Sequence, residues 1–296
     1  MKNIRTAHSM ILPLIFLVVI VAGCSELKDT LPNASTASLS VHPDGWTTPS
    51  SANFHGKAIR DENWDMRGCQ TCHGKLYDGG HTKVSCRTCH NKSAGPENCT
   101  TCHGGTNNAP PRDLSDRTDR TVKSVGSHQI HLLGSSLAGP VPCTECHTVP
   151  PAVYDPGHLD SSSPAEVVFN DVLTNTRTGI TPGEPTVTPQ PSYNSTTAKC
   201  ANTYCHGAFV NGNSDFTPVW NDPSGTQMAC GTCHGDVTKT GAERALPKTS
   251  ARGGTHPNFT SCYICHDDVI DANLKIINPA KHINGKLNVA GEERAF

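Results

Sequence analysis

The sequence predicts a mostly irregular, loop-rich fold with short α-helices at recurring cysteine–histidine motifs, packed around something other than its own side chains. Three observations lead there. The 296 residues include 26 Gly and 22 Pro, and only 5% are aromatic. That composition leaves little from which to build a core, although the length would fill two ordinary domains. A chain so poor in apolar bulk either stays disordered or packs around a bound group. The 15 cysteines, arranged mostly in pairs, decide for the second.

The N-terminus reads as a targeting segment. Lys2 and Arg5 give a short positive region, and Ile11 to Ala22 form an apolar run. The run is too short to span a membrane but has the length of a signal-peptide apolar region. It ends in Val21-Ala22-Gly23-Cys24, which resembles the lipobox of bacterial lipoproteins. Residues 1–23 are therefore expected to be a lipoprotein signal peptide, with Cys24 the lipidated first residue of the mature chain. Ser25 follows it, and in such lipoproteins a residue other than Asp there permits transfer to the outer membrane. Residues 24–40, rich in Ser, Thr, Asn and Ala, read as a flexible tether.

The other 14 cysteines form seven pairs, each followed at once by histidine. Six are CxxCH: Cys69-Cys72-His73, Cys86-Cys89-His90, Cys99-Cys102-His103, Cys143-Cys146-His147, Cys230-Cys233-His234 and Cys262-Cys265-His266. The seventh is a longer CxxxxCH: Cys200, Cys205, His206. With Cys24 reserved for lipid, no cysteine is left for a disulfide. CxxCH is the attachment signature of haem c. Two thiols on one turn reach the two vinyl groups of a porphyrin, and the adjacent imidazole lies under the ring to bind iron. In the longer motif two extra residues loop out between the thiols, while the second cysteine and its histidine stay adjacent. Zinc sites and thioredoxin-like sites also use CxxC, but neither demands a histidine after all seven pairs. Seven covalently bound haems are expected.

A closed, six-coordinate iron needs a second ligand. Outside the motifs and the signal peptide stand His42, His55, His81, His128, His131, His158, His256 and His282, eight candidates for seven places. His42, nearest the N-terminus, is the natural spare. His128 and His131, three apart, share one face if their segment is helical and could serve two neighbouring haems. Only Met66 and Met228 lie in the motif-bearing part, so methionine is a poor alternative. Bis-histidine ligation implies low potentials. The sequence ranks these candidates without pairing them.

Residues 41–160 carry four motifs, and Cys86 and Cys99 begin motifs only 13 residues apart. Residues 161–199 hold neither cysteine nor histidine. They open on Ala165-Glu166-Val167-Val168-Phe169, a short strand by pattern, and continue as a Thr/Pro/Gly-rich linker or extended crossover. Residues 200–296 carry the last three motifs. At about 39 residues per haem, porphyrins would form much of the interior and lie close enough together to conduct. The apo chain should not fold, as metal-dependent domains do not fold without metal. Net charge is −2, with 24 basic and 26 acidic residues and no long run of one sign, so nucleic acid is not an expected partner.

The run from Cys200 through His206 and Gly207, then Trp220, then Cys230 through His234 and Gly235, resembles the CxxxxCH…CxxCH repeat of multihaem c-type cytochromes from metal-reducing bacteria. His128-Gln-Ile-His131, Gly157-His158-Leu-Asp160 and His282-Ile-Asn-Gly285 fit the same family, and the likeness covers roughly residues 42–290. Trp46, Trp64 and Trp220 are equally readable as packing residues. The resemblance implies a multihaem cytochrome c fold built around a haem chain. It also implies a lipid-anchored electron carrier of the outer membrane, delivering respiratory electrons to other c-type cytochromes or to extracellular metal oxides. A non-enzymatic carrier is expected. The rival reading is a reductase of nitrite or hydroxylamine type with one open iron, against which stand the ample histidines and the absence of a CxxCK motif. A subunit of a porin–cytochrome conduit, with an outer-membrane porin as partner, and a cytochrome filament are further alternatives.

Overall fold

In the computed structural model the described residues are 41–160, 165–169, 172–179 and 182–296. The signal peptide, Cys24 and the tether lie outside them. Among the described residues no helix is long and apolar enough to cross a membrane. The chain divides into two units, Met1–Glu62 and Asn63–Phe296.

In the first unit a series of turns leads into α1 (His55–Asp61). The indole of Trp46 stacks flat on His42, with centroids 4.5 Å apart and planes 9° from parallel. The Trp46 carbonyl receives both the backbone N–H and the Nδ1–H of His55, at 2.8 and 2.9 Å. One backbone oxygen thus sets the start of α1 and the rotation of its first side chain.

The second unit holds all seven motifs. Its short helices are α2 (Gln70–His73), α3 (Cys99–Cys102), α4 (His128–Leu133) and α5 (Gly241–Ala245). Single 3-10 turns occupy Arg67–Cys69, Cys86–Thr88, Cys143–Glu145, Tyr204–His206 and Cys262–Ile264. Helical structure therefore marks every motif except Cys230–His234, where a turn replaces the expected helix. Gly231 lies at φ +89°, where a Cβ would sit 2.9 Å from the Arg244 carbonyl oxygen. That left-handed residue breaks the turn before it can propagate. Two of the others are capped by side chains: Ser85 accepts from Arg87 N–H, and Asn98 accepts from Thr100 N–H.

Strands are few. β1 (Ser192–Asn194) pairs antiparallel with β2 (Lys199–Ala201), with Tyr193 opposite Cys200. β3 (Leu287–Val289) pairs with β4 (Glu292–Arg294) around Ala290 and Gly291, both at positive φ as a tight hairpin turn requires. The strand expected at 165–169 finds no partner strand among the described residues. Val168 N–H bonds instead to the Cys146 carbonyl at 2.8 Å, so the segment docks on a motif.

The interior confirms how little the side chains supply. The buried apolar residues are Met66, Tyr77, Ala109, Val125, Ala198, Tyr204, Ala208, Val210, Leu246 and Val269. Three are alanines, and buried beside them are Asp113, Glu145, Thr174, Thr178, Thr203, Thr249 and Asn288. Meanwhile Leu76, Val84, Val149, Met228, Val237, Phe259, Tyr263 and Ile264 stand exposed within or up to three residues from a motif. Apolar surface gathered beside five of the seven motifs suits the binding of something apolar there.

Candidate haem-binding sites

Each site begins with one turn of backbone. The N–H groups of His90, His103, His147 and His266 bond to the carbonyls of Cys86, Cys99, Cys143 and Cys262, all at 2.9 Å. A turn closed this way carries its two cysteines, three residues apart, to one face. In the longer motif Cys200 lies on β2 and Cys205 in the following 3-10 turn, with Asn202 at φ +54° between them. All 14 of these cysteines are free thiols, none in a disulfide.

The imidazoles are held at Nδ1. In the motifs, Nδ1 of His73 meets the Val84 carbonyl at 2.9 Å, His147 that of Glu166 at 2.7 Å, His234 that of Ala245 at 2.7 Å and His266 that of Asn288 at 2.6 Å. Outside the motifs, His128 is tied to Val125, His131 to Ser127, His158 to Val153, His256 to Pro257 and His282 to Leu137, again through Nδ1 and a backbone carbonyl. A carbonyl can only accept, so Nδ1 carries the proton and Nε2 presents its lone pair. That is the tautomer and the outer-shell support a metal-ligating histidine uses. At two motifs one segment grips twice: residues 166–168 bind His147 and Cys146, and residues 288–290 bind His266 and Cys265.

Four motif histidines each face a histidine from elsewhere in the chain. His103 and His158 have ring centroids 6.0 Å apart, His128 and His147 6.2 Å, His131 and His206 6.1 Å, and His234 and His282 6.3 Å. Two imidazoles binding one metal ion from opposite sides, at a metal–nitrogen distance of about 2 Å, place their ring centres about 6 Å apart. The arrangement therefore fits an iron between each pair. With the free thiols and the exposed apolar side chains beside the motifs, these residues suit haem c. Among the described residues no three His, Cys, Asp or Glu side chains gather round one point; the imidazoles meet two at a time.

The remaining candidates are placed differently. His256 lies within electrostatic reach of His266 and His234. His81 is exposed, its N–H bonded to the Cys72 carbonyl. His42 and His55 belong to the first unit.

Burial tunes these groups towards the uncharged state. It lowers the imidazoles of His206 and His234 to about 4, and those of His103, His128, His131, His256 and His282 in the same direction. It pushes the thiols of Cys146 and Cys205 up to about 12 and that of Cys200 to about 11. An imidazole that resists protonation near neutral pH keeps its lone pair for a metal.

Neighbouring sites are close. Charge on Cys86 is felt from Cys69, on Cys146 from Cys200, on Cys205 from Cys146 and Cys233, and on His234 from His266. The fourth to seventh motifs thus form an unbroken succession. Glu145, inside the fourth motif, is buried and accepts the N–H groups of Leu173 and Thr174, while the Thr174 carbonyl receives the N–H of Tyr204 beside Cys205. Nothing in the sequence pattern singled out Glu145, because either x position of CxxCH accepts many residues.

Paired thiols, a histidine tied through Nδ1 and a second imidazole across from it are what a bis-histidine haem c site requires, and four of the motifs have such a second imidazole. Residues 199–234 match the family model described as the Geobacter CxxxxCH...CXXCH motif, spanning the fifth and sixth sites. The chain is thus similar to c-type cytochromes of the CxxxxCH/CxxCH type, and its CxxCH motifs imply covalently bound haem c. No curated protein and no solved structure matches the chain.

Proposed function

We propose that the chain is a heptahaem c-type cytochrome that carries electrons at the outer membrane, anchored there by lipid on Cys24. Its role on this reading is extracellular electron transfer, with other c-type cytochromes as donors and cytochromes or metal oxides as acceptors. The observation that carries the proposal is the set of four facing histidine pairs, each joining a motif to a residue remote from it. Haem iron, alternating between ferric and ferrous, supplies the one-electron capacity. The chain's residues do the rest. The 14 cysteines form the thioethers. His73, His90, His103, His147, His206, His234 and His266 are the proximal ligands. His158, His128, His131 and His282 are the distal ligands opposite His103, His147, His206 and His234. His81 and His256 are the distal candidates left in the second unit.

Closing both axial positions at the four paired sites leaves no iron open to substrate there, which suits a carrier rather than a reductase. The succession of neighbouring sites from the fourth to the seventh motif supports electron movement along the chain. The intact mass of protein purified from its native host tests the count, since seven haems and the lipid each add a fixed increment. A mass lacking either increment, or a ferric spectrum dominated by high-spin iron, would overturn the corresponding part of the proposal.

A further inference from the structure

Trp220 is half-buried and lies between the fifth and sixth cysteine pairs, yet it touches two histidines of different pairs. Its indole meets His128 edge-on, with centroids 4.7 Å apart and planes at 89°, and lies against His131 at 5.5 Å and 34°. These two residues sit three apart on α4, and they serve different sites: His128 faces His147, and His131 faces His206. The two pairs differ in twist. The rings of His128 and His147 are 22° from parallel, those of His131 and His206 are 76° apart. The other two pairs show the same split, at 29° for His103–His158 and 77° for His234–His282.

The indole is itself firmly seated. Its Nε1–H donates to the Lys123 carbonyl at 2.8 Å, and its backbone carbonyl accepts from the Ser127 hydroxyl at 2.7 Å. The Ser127 carbonyl in turn receives the Nδ1–H of His131. Trp220 N–H bonds to the Ala198 carbonyl, next to β2. Gly126 lets the ring lie on the backbone: it has φ +44°, and a Cβ there would come within 2.0 Å of the indole nitrogen.

We propose that Trp220 is a positioning residue, a wedge that fixes the rotation of two distal histidines on one helix so that two neighbouring haems have different ligand-plane twists. The inference rests on the bis-histidine reading above. Near-parallel imidazole planes direct their π-donation at one iron d orbital and split it from its partner, giving ferric iron a rhombic low-spin signal. Near-perpendicular planes leave the two orbitals nearly degenerate and give a highly anisotropic low-spin signal at low field. Outer-shell contacts that set ligand orientation are an established way for a protein to tune a metal.

Electron paramagnetic resonance of the oxidised, fully loaded protein is the test. The wild type should show both signal types. Trp220→Ala should shift the rhombic signal and remove about one haem's worth of the anisotropic one, leaving that of His234–His282. Gly126→Ala, which displaces the indole without removing it, should do the same, and Trp220→Phe should restore the wild-type spectrum. A wild-type spectrum of one type only overturns the proposal, as do unchanged spectra from Trp220→Ala and Gly126→Ala carrying all their haems. The wild-type result decides should neither variant mature. Absence of any low-spin ferric haem would instead remove the bis-histidine reading itself.

Discussion

Replacing Glu145 by alanine is expected to loosen the joint between the fourth and fifth sites. Its carboxylate accepts Thr174 N–H at 2.9 Å and Leu173 N–H at 3.1 Å. Thr174 is buried, so its amide would lose its partner with no water to replace it, at a cost of about 1–3 kcal/mol. The half-buried Leu173 amide and the lost packing of the side chain bring the total to about 3 kcal/mol. At 1.4 kcal/mol per factor of ten, local opening becomes about a hundredfold more frequent. Hydrogen exchange of the peptide covering residues 172–179 reads that opening directly. Glu145→Gln keeps one acceptor oxygen and should show about a tenfold acceleration. Exchange within about twofold of wild type in Glu145→Ala, with haem content unchanged by mass, would refute the reasoning.

Three further outcomes are expected. His282→Ala should convert one haem to a five-coordinate, high-spin ferric centre that binds carbon monoxide when reduced; an unaltered low-spin spectrum would remove His282 from the ligand set. Cys205→Ala should lower the stable haem content by one, and an unchanged mass increment would show that the longer motif holds no haem. Burial of Asp113 raises its carboxyl, but bonds from the Ser124 hydroxyl, the Arg117 N–H and guanidinium and the Ser115 N–H outweigh it, so the group is held well below its ordinary 3.8. A depressed folded value means stability that is present above about pH 4 and lost as pH falls towards the folded value. Denaturation of Asp113→Asn should therefore show its deficit against wild type at pH 7 and a smaller one at pH 3, and an equal deficit at both would contradict the assignment.

The motifs were legible because covalent attachment demands local spacing, and a local pattern is what a sequence displays. The set of distal candidates was legible for a related reason, since histidine is otherwise scarce, and four of the eight face a motif histidine. Their pairing was not, because it is made by tertiary contacts: His282 is oriented by the Leu137 carbonyl, 145 residues away, and faces His234. The hairpins escaped notice because three residues are too few for an alternating pattern to stand out in the sequence. The residues from 161 to 199 read as a linker or extended crossover on composition, which does not foretell that Thr174 and Thr178 there are buried, with the Thr178 hydroxyl accepting Val210 N–H at 2.7 Å. A threonine can enter an interior when its hydroxyl is bonded, and nothing in a Thr/Pro-rich string announces which one will. A short helix is expected at Cys230–His234 as at every CxxCH motif; Gly231 is the residue that prevents it.

On the proposed reading, the attachment of imidazole Nδ1 to main-chain carbonyls has a kinetic consequence. Ligands moored to backbone, rather than to mobile side chains or water, have little freedom to relax when the charge on a metal changes. The nuclear rearrangement accompanying each electron's arrival and departure would then be small, and so would the barrier it imposes on every hop. A chain with barely any oily interior can on this account be a stiff conductor, its rigidity residing in the polypeptide's own amides.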